Sequence, residues 1–505
     1  MKRNKITNWS LLLILPLLVS LFGCEKFLDR KPLTATLEDL NQGGLEGQIF
    51  GLYSTANSYA GFSSIPWLAV HGFRADDSHK GSDQADGAEW VTVMDNFNYA
   101  KDFWATNTYW DDHYVLINKA NTALQTADSL KLSDASSTIN MAEARFFRAF
   151  AYFDLVRTFG DVPKIDFRIY TANQANVAKS TSAEIYALID SDLQYAAANL
   201  PKTWGKQYPG RLTSGAAKTL QAKAYLYRKN WASALALSNE VINSGVYSLY
   251  NSYYGIFKDA GENCSESIYE LQNYVGANGV NDYGSFYATS QGVRGTDANG
   301  WNLGWGWNAP TQDLVDSYEK GDPRKAATIL FSGQSDDPSS GGYGKTLPAY
   351  PIIPQKYWNK KVYADPAVQS STGRLHEAGW INQRILRYSD VILMAAEAAN
   401  ELGGAANAAI AEKNLEMVRA RARSGDATVL PMIKFTTQDA MREAIKHERR
   451  VEFGMEGERF FDLVRWGDAV KVLGSLGYQN KNRYYPIPQP AIDKSGGKLV
   501  QNPEY

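Results

Sequence analysis

The chain has 505 residues with 54 acidic and 52 basic side chains, and its formal net charge of −2 gives no reason to expect nucleic acid or another polyanion as partner. Two cysteines cannot build a disulfide framework, so the body must be stabilised by a packed core. The 13 Trp, 30 Tyr and 20 Phe exceed what a helical core needs, which suggests that some rings face a ligand or a partner.

The first element is an apolar segment, Trp9 to Phe22, that follows three basic residues. It is short for a membrane-spanning helix and predicts a signal peptide over residues 1–23. Its end, Leu21-Phe22-Gly23-Cys24, resembles the bacterial lipobox, so Cys24 is predicted to carry lipid and to hold the protein at a membrane through that anchor only. Several acyl chains would be needed, since one holds only marginally. The alternative is an ordinary cleaved signal with an incidental cysteine.

Helical patterns dominate both ends of the remaining chain. Met141 to Phe159 is apolar on nearly every face and stops at Gly160, which predicts a buried helix. Two pairs of amphipathic segments have the lengths of tetratricopeptide hairpins. These pairs are Thr213–Asn230 with Trp231–Asn243, and Ile385–Leu402 with Ala405–Arg423.

The middle of the chain, from about Tyr247 to Tyr363, has only a short helical pattern near Thr311 to Lys320. It is rich in glycine, asparagine and aromatic residues, which is typical of long surface loops. The predicted fold is therefore mainly α, with helical hairpins as the scaffold and irregular loops upon it. Long structured loops on such a scaffold often carry the binding site.

Three tryptophans in this middle region are the first candidates for ligand contact. Trp301, Trp305 and Trp307 lie in GWNLGWGWN, where glycine and asparagine separate the indoles. Indole faces suit the C–H faces of sugar rings, and Asn302, Asn308 and Asp297 could bond to hydroxyls. The alternative is that one or more of these rings fastens the loop to the helical body.

Glu448 and Glu452 offer a rival, enzymatic interpretation, because paired carboxylates are the machinery of glycosidases. They share the apolar stripe of a helix predicted to be capped by Thr436, and four arginines lie close in sequence. Those arginines are Arg449, Arg450, Arg459 and Arg465. A buried ion-pair network explains this pattern without catalysis. Motifs for zinc, nucleophilic or phosphate chemistry do not occur, so neither an enzyme nor a bound cofactor or metal is expected.

Several segments taken together resemble the SusD/RagB family of nutrient-binding lipoproteins, and they occur in the family's order. Glu25 and Asp29, just after Cys24, resemble its export signal to the outer face of the membrane. The remaining segments are Trp110–Leu124, Ala142–Pro163, Leu212–Tyr227, Ser265–Gln272, Ala309–Arg324, Arg387–Asn400, His447–Asp468 and Tyr484–Asp493.

The resemblance implies one SusD-like body over residues 24–505, with helical repeats in 24–250 and ligand loops in 251–505. It also implies a lipoprotein of the outer membrane that captures an oligo- or polysaccharide and passes it to a SusC-like, TonB-dependent β-barrel. In the family, residues of an N-terminal loop join the aromatic arc. The candidates here are Tyr283, Trp90, Asn96, Asp76 and Asp77. Two alternatives are a peptide-binding member of the family and a scaffold without a small ligand.

Overall fold

Helices form the frame of the molecule, as the sequence predicts. A computed structural model describes residues 43–57, 64–83, 85–274, 284–371 and 379–505. Within these ranges no helix is both long and apolar enough to cross a membrane. The helices are α1 Gly44–Ala56, α2 Ile65–His71, α3 Glu89–Asp95, α4 Trp104–Ser129, α5 Ala135–Phe159, α6 Ser182–Asn199, α7 Ser214–Tyr227, α8 Trp231–Asn243, α9 Phe286–Gln291, α10 Gln312–Ser317, α11 Pro323–Thr328, α12 Pro366–Ser371, α13 Tyr388–Leu402, α14 Ala405–Arg423, α15 Gln438–Phe453, α16 Arg459–Trp466, α17 Ala469–Leu473 and α18 Gln489–Lys494.

Short strands join distant parts of the chain in antiparallel pairs. They are β1 Ser78–Gly81, β2 Val162–Pro163, β3 Lys179–Ser180, β4 Ser267–Leu271, β5 Trp307–Pro310, β6 Ile329–Phe331, β7 Tyr357–Asn359 and β8 Gln383–Arg387. The pairs are β1 with β5, β2 with β3, β4 with β8, and β6 with β7. The prediction of a helix from Ile385 is wrong at its start, because Gln383–Arg387 pairs with Ser267–Leu271 before α13 begins.

The long helices pack each against the next, from α4 through α8. Helix α8 then packs against α13, and α13 packs against α14 and α15. The helical array is therefore interrupted in sequence by residues 244–387, but in space α13 follows directly after α8. The predicted ends of Trp231–Asn243 and Ala405–Arg423 are confirmed. Gly403 and Gly404 turn the chain between α13 and α14 at φ +70° and +83°, where only glycine is free of a Cβ penalty.

Helix α5 lies deep in this array, as does α13. Apolar residues lie on nearly every face of α5, and Phe146, Phe147 and Tyr152 are fully buried. The helix begins at Ala135, earlier than the predicted Met141, because Asp134 accepts a hydrogen bond from Ser137 N and caps the first turn. It ends at Gly160, as predicted, with φ +76°.

The paired carboxylates of α15 lie inside this core, not in a cleft. Glu448 and Glu452 are both 0% exposed. Arg324 and Arg419 donate to Glu448 at 2.5 and 2.9 Å, and Arg421 and Arg387 donate to Glu452 at 2.5 and 3.1 Å. The burial and the arginine partners confirm the interpretation of an ion-pair network. A substrate in solvent could not reach either carboxylate.

The predicted partners of these carboxylates are wrong, because the four arginines nearest in sequence form ion pairs with other acidic residues. Their acceptors are Asp390 and Asp462 for Arg449, Asp76 and Asp77 for Arg450, Asp76 for Arg459, and Glu397 and Asp462 for Arg465. The predicted cap is wrong by one residue, since Thr437 and not Thr436 accepts from Ala440 N.

Candidate functional site

The pairing of β1 with β5 fixes the tryptophan-rich loop against the N-terminal part of the chain. Gly81 lies opposite Trp307, and Ser82 N donates to Gly306 O at 2.6 Å. Trp305 N donates to Thr289 O at 2.9 Å. A Cβ on Gly306, whose φ is +77°, would meet the Trp358 ring at 3.0 Å and Arg294 Cβ at 2.8 Å. The glycines between the indoles therefore allow the loop to pack closely against its neighbours.

A continuous row of aromatic rings crosses this junction. Phe286 stacks on Trp305 with ring centroids 5.1 Å apart, and Trp305 lies 4.8 Å from Trp307. Trp90 of α3 meets Trp307 edge to face at 5.3 Å, and Trp104 of α4 meets Trp90 at 5.0 Å. Trp104 is 44% exposed, and the other four rings are partly exposed. We call these five residues the aromatic strip.

The strip contains three of the predicted site residues, Trp90, Trp305 and Trp307, brought together from separate elements. Sequence reasoning missed Phe286 and Trp104. Trp104 is the first residue of α4, and a tryptophan exposed at the start of a long helix is the signal that could have identified it. Phe286 carries no such signal, because its position depends on how α9 meets the loop.

Trp301 is placed differently from its two neighbours. It is 7% exposed and stacks on Tyr363 with centroids 6.3 Å apart. It belongs to a separate core cluster that includes Leu303 and Trp358. The prediction of Trp301 as a ligand contact is therefore wrong, and the alternative, a ring that fastens the loop to the body, applies to it.

Replacing Trp301 by phenylalanine is expected to lower the free energy of unfolding by about 1 to 3 kcal/mol, because the smaller ring leaves space in a closed cluster. Ligand affinity should stay at the wild-type value, since this ring does not line the strip. Chemical denaturation and calorimetry on the same preparation measure both quantities. If the variant keeps the wild-type free energy of unfolding but no longer binds the ligand, Trp301 is a ligand contact after all.

Asp76 and Asp77 are also structural, contrary to prediction. Arg459 holds Asp76 at 2.8 and 2.9 Å, and Arg450 bonds to Asp77 at 2.8 Å. Burial would raise the pKa of Asp76, but the bonds from Arg459 outweigh it and lower that pKa; burial prevails at Asp77 and raises its pKa. These ion pairs tie the segment before β1 to α15 and α16 and leave no carboxylate for a ligand.

Two further predicted residues stay untested. Asn96 follows α3, the helix of Trp90, with an exposed side chain, but the contacts within the described ranges do not join it to the strip. Tyr283 lies outside the described residues, as does Cys24.

The two asparagines of the tryptophan-rich loop bond to neighbouring side chains. Asn308 is buried and donates to Gln291 at 2.8 Å, whereas Asn302 donates to Asp297 at the same distance.

A polar cluster borders the indoles of Trp305 and Trp307. Asp86 accepts from Lys80 Nζ at 2.8 Å, from the Ser82 hydroxyl and, at 3.4 Å, from Trp307 Nε1. Although burial opposes it, the bonds from Lys80 and Ser82 lower the pKa of Asp86 to about 2, so this carboxylate is ionised.

Arg294 completes the polar cluster. Its Nη1 donates to the Ser82 hydroxyl at 3.2 Å and to Trp305 O at 3.5 Å, and lies 3.6 Å from Asp86 Oδ2. Its side chain is 36% exposed, and its Nε and Nη2 have no protein partner within the described ranges. The apolar ring faces of the strip thus lie beside a polar cluster that contains the ionised Asp86. In that cluster, Arg294 still has N–H donors that a ligand could use. The described residues contain no cluster of side chains that could hold a metal ion.

Comparison with known proteins gives matches along nearly the whole chain. Residues 62–226 match the family model described as "Starch-binding associating with outer membrane", and residues 265–505 match the model of the SusD family. SusD-like protein P2 of Formosa agariphila is 27% identical over 525 aligned positions, which cover 100% of both chains.

Solved structures agree with these family matches. A laminarin-binding SusD-like protein is 27% identical, with a TM-score of 0.75 over 94% of this chain and 100% of the other. Surface glycan-binding protein A of Bacteroides thetaiotaomicron, solved with laminarihexaose, is 24% identical and shares the fold with a TM-score of 0.72 over 91% of this chain and 98% of the other. The two family models, the full-length relative and these structures confirm the resemblance found in the sequence: the chain belongs to the SusD-like family.

Proposed function

We propose that this protein binds a glycan on the aromatic strip at the cell surface. The observation that supports the proposal is the row of Phe286, Trp305, Trp307, Trp90 and Trp104 beside partly exposed Arg294. Sugar rings present flat C–H faces that stack on aromatic rings, and their hydroxyls need donors and acceptors at the edge. A laminarin-binding SusD-like protein is 27% identical to this chain.

The side chains of the strip are already held in place, so a glycan could bind with little loss of conformational entropy in the protein. Each ring of the strip touches another ring, and Trp307 is further fixed by its bond to Asp86 and by β5. Side chains already held in place lose little rotamer freedom on binding, so more of the contact energy appears as affinity. Arg294 then orients the sugar, because its Nε and Nη2 are available to hydroxyl oxygens.

Binding without hydrolysis is part of the proposal. The one pair of carboxylates that suggested a glycosidase, Glu448 and Glu452, is fully buried and bonded to arginines. At the strip, Asp86 has a side chain only 1% exposed and is occupied by Lys80 and Ser82. Neither place offers the two accessible carboxylates that flank a glycosidic bond in most glycosidases.

The test is native electrophoresis in gels that each contain one polysaccharide, with laminarin, starch, xylan and pectin as the first panel. Wild-type protein should be retarded by at least one of them, and a Trp305→Ala/Trp307→Ala double variant should migrate as in a gel without polysaccharide. If no polysaccharide retards the protein while a mixture of oligopeptides binds, the peptide-binding alternative replaces this proposal.

We propose further that the captured glycan passes to a SusC-like, TonB-dependent barrel in the outer membrane, as membership of the family suggests. The protein would be held beside this transporter, on the outer face, by lipid on Cys24.

Replacement of Cys24 by serine tests the anchor. The Cys24→Ser variant should lose lipid, as seen by mass analysis, and should leave the membrane fraction for the soluble fraction. A Cys264→Ser variant is the matched control, because Cys264 is a free cysteine of the folded body. Should the Cys24 variant still sediment with membranes, the anchor lies elsewhere.

A further inference from the structure

A second cleft, separate from the aromatic strip, lies where several ends of the helical array meet. It has a volume of about 530 Å³ and is bounded by the C-terminal ends of α5, α7 and α16, the start of α6, and Arg483 with Tyr484. It shares no lining residue with the strip. Its size is within the range of pockets that hold small organic ligands.

The charge of the lining residues is one-sided. Five of them are cationic, namely Arg157, Arg228, Lys229, Arg465 and Arg483, and none is Asp or Glu. Three of these cations have carboxylate partners outside the lining. Arg157 pairs with Asp154 at 2.5 Å, Arg228 with Asp190 at 2.7 Å, and Arg465 with Asp462 at 2.8 Å. In each pair it is the cation, not the carboxylate, that borders the cleft.

The other two cations, Lys229 and Arg483, are exposed and form no ion pair with the residues that the structure describes. No carboxylate of the described ranges lies within salt-bridge distance of either side chain. Lys229 follows the end of α7 with φ +57°, and the Arg483 guanidinium lies 4.9 Å from the centroid of the Tyr484 ring. Their N–H donors are therefore available to a ligand, in contrast to those of the paired arginines.

Aromatic rings form much of the remaining wall. Tyr186, Tyr227, Trp466 and Tyr484 line the cleft. Arg228 lies 4.6 Å from the Tyr186 ring and Arg465 lies 4.8 Å from the Trp466 ring, so these side chains hold one another in place. Asp161 adjoins the rim by accepting from Ser182 N at 2.7 Å, which weakens the positive potential on that side. A concave site concentrates the field of its cations.

We propose that this cleft binds a saccharide unit that carries a carboxylate or sulfate group. The anion would lie between Lys229 and Arg483, and the sugar ring would pack on Tyr484 and Trp466. A bare inorganic anion would fill only a small part of about 530 Å³ and would leave the aromatic wall unused. The whole chain has a net charge of −2, so the attraction is local and is weakened by salt.

The test is isothermal titration calorimetry with four probes on the intact protein: D-glucuronate, D-glucose 6-sulfate, D-glucose and inorganic sulfate. Wild-type protein should bind the two anionic sugars more tightly than glucose or sulfate, and less tightly in high salt. A Lys229→Gln/Arg483→Gln variant should bind the anionic sugars at least roughly tenfold more weakly, because two charged hydrogen-bond donors are lost. Both residues are exposed and make no ion pair within the described part of the chain, so the variant should fold normally.

Two controls separate this cleft from the strip and from general charge effects. Lys471→Gln removes an exposed cation of α17 and should leave binding unchanged. Trp305→Ala should also leave it unchanged, whatever that variant does to neutral glycans. The proposal is wrong if wild-type protein binds neither anionic sugar, if the double variant binds as wild type does, if inorganic sulfate binds as tightly as the sulfated sugar, or if Trp305→Ala abolishes binding.

Discussion

Replacing Trp305 or Trp307 by alanine is expected to weaken glycan binding by more than tenfold. These two rings are the centre of the aromatic strip, between Phe286 and Trp90. Removing an aromatic side chain from the centre of a desolvated contact commonly costs about 2 kcal/mol or more, and about 1.4 kcal/mol is a factor of ten in affinity. Calorimetry with an oligosaccharide of the polysaccharide that retards the wild-type protein would measure the loss.

Thermal melts on the same variants distinguish lost contact from lost folding. Trp305 and Trp307 are only partly buried, so their removal should lower the melting temperature less than removal of a core ring does. Trp231→Ala is a matched control, because Trp231 is also partly buried but lies on α8, away from the strip. It should bind as wild type does. Wild-type affinity in both strip variants would mean that the glycan binds elsewhere.

Replacing Glu452 by alanine is expected to destabilise the fold by about 3 to 5 kcal/mol. This carboxylate is 0% exposed and accepts from Arg421 at 2.5 Å and from Arg387 at 3.1 Å. Removing one partner of a buried ion pair leaves the remaining charges without compensation, and that cost exceeds the value of the pair itself. Urea denaturation gives the loss. Glu443→Ala, on the exposed side of the same helix, should hardly alter the unfolding midpoint.

The same carboxylate makes stability depend on pH in a defined direction. Burial alone would raise the pKa of Glu452, but Arg421, Arg387 and Arg324 outweigh it and hold that pKa well below its ordinary value. A lowered folded-state pKa contributes stability above the unfolded pKa of about 4.3 and loses it as the pH falls. The free energy of unfolding of the wild-type protein should therefore fall between pH 5 and pH 3. That of Glu452→Gln should fall less over the same range. Equal slopes for both proteins would refute this role.

The helical scaffold could be predicted because its signals are local. Trp231–Asn243 and Ala405–Arg423 show the apolar period and end signals within their own sequence, and their predicted limits match the structure. The burial of Glu448 and Glu452 also follows from a local stripe. Their partners do not, because Arg324, Arg387, Arg419 and Arg421 come from other elements, as far as 128 positions away in the case of Arg324 and Glu452.

The site could be predicted only in part, for the same reason. The sequence indicates that GWNLGWGWN contains rings for a ligand, but it does not separate Trp305 and Trp307 from Trp301. That distinction arises when Tyr363 and Trp358 cover one indole and leave the other two at the surface. Likewise, Asp76 and Asp77 look like ligand residues until Arg450 and Arg459 approach them from the far end of the chain.

A crystal structure of the protein with an oligosaccharide that it binds would show directly whether the aromatic strip is the glycan site. Sugar rings should stack on Trp305 and Trp307, with at least one hydroxyl within hydrogen-bond distance of Arg294 Nε or Nη2. A sugar bound elsewhere on the molecule, with these indoles bare, would contradict this expectation.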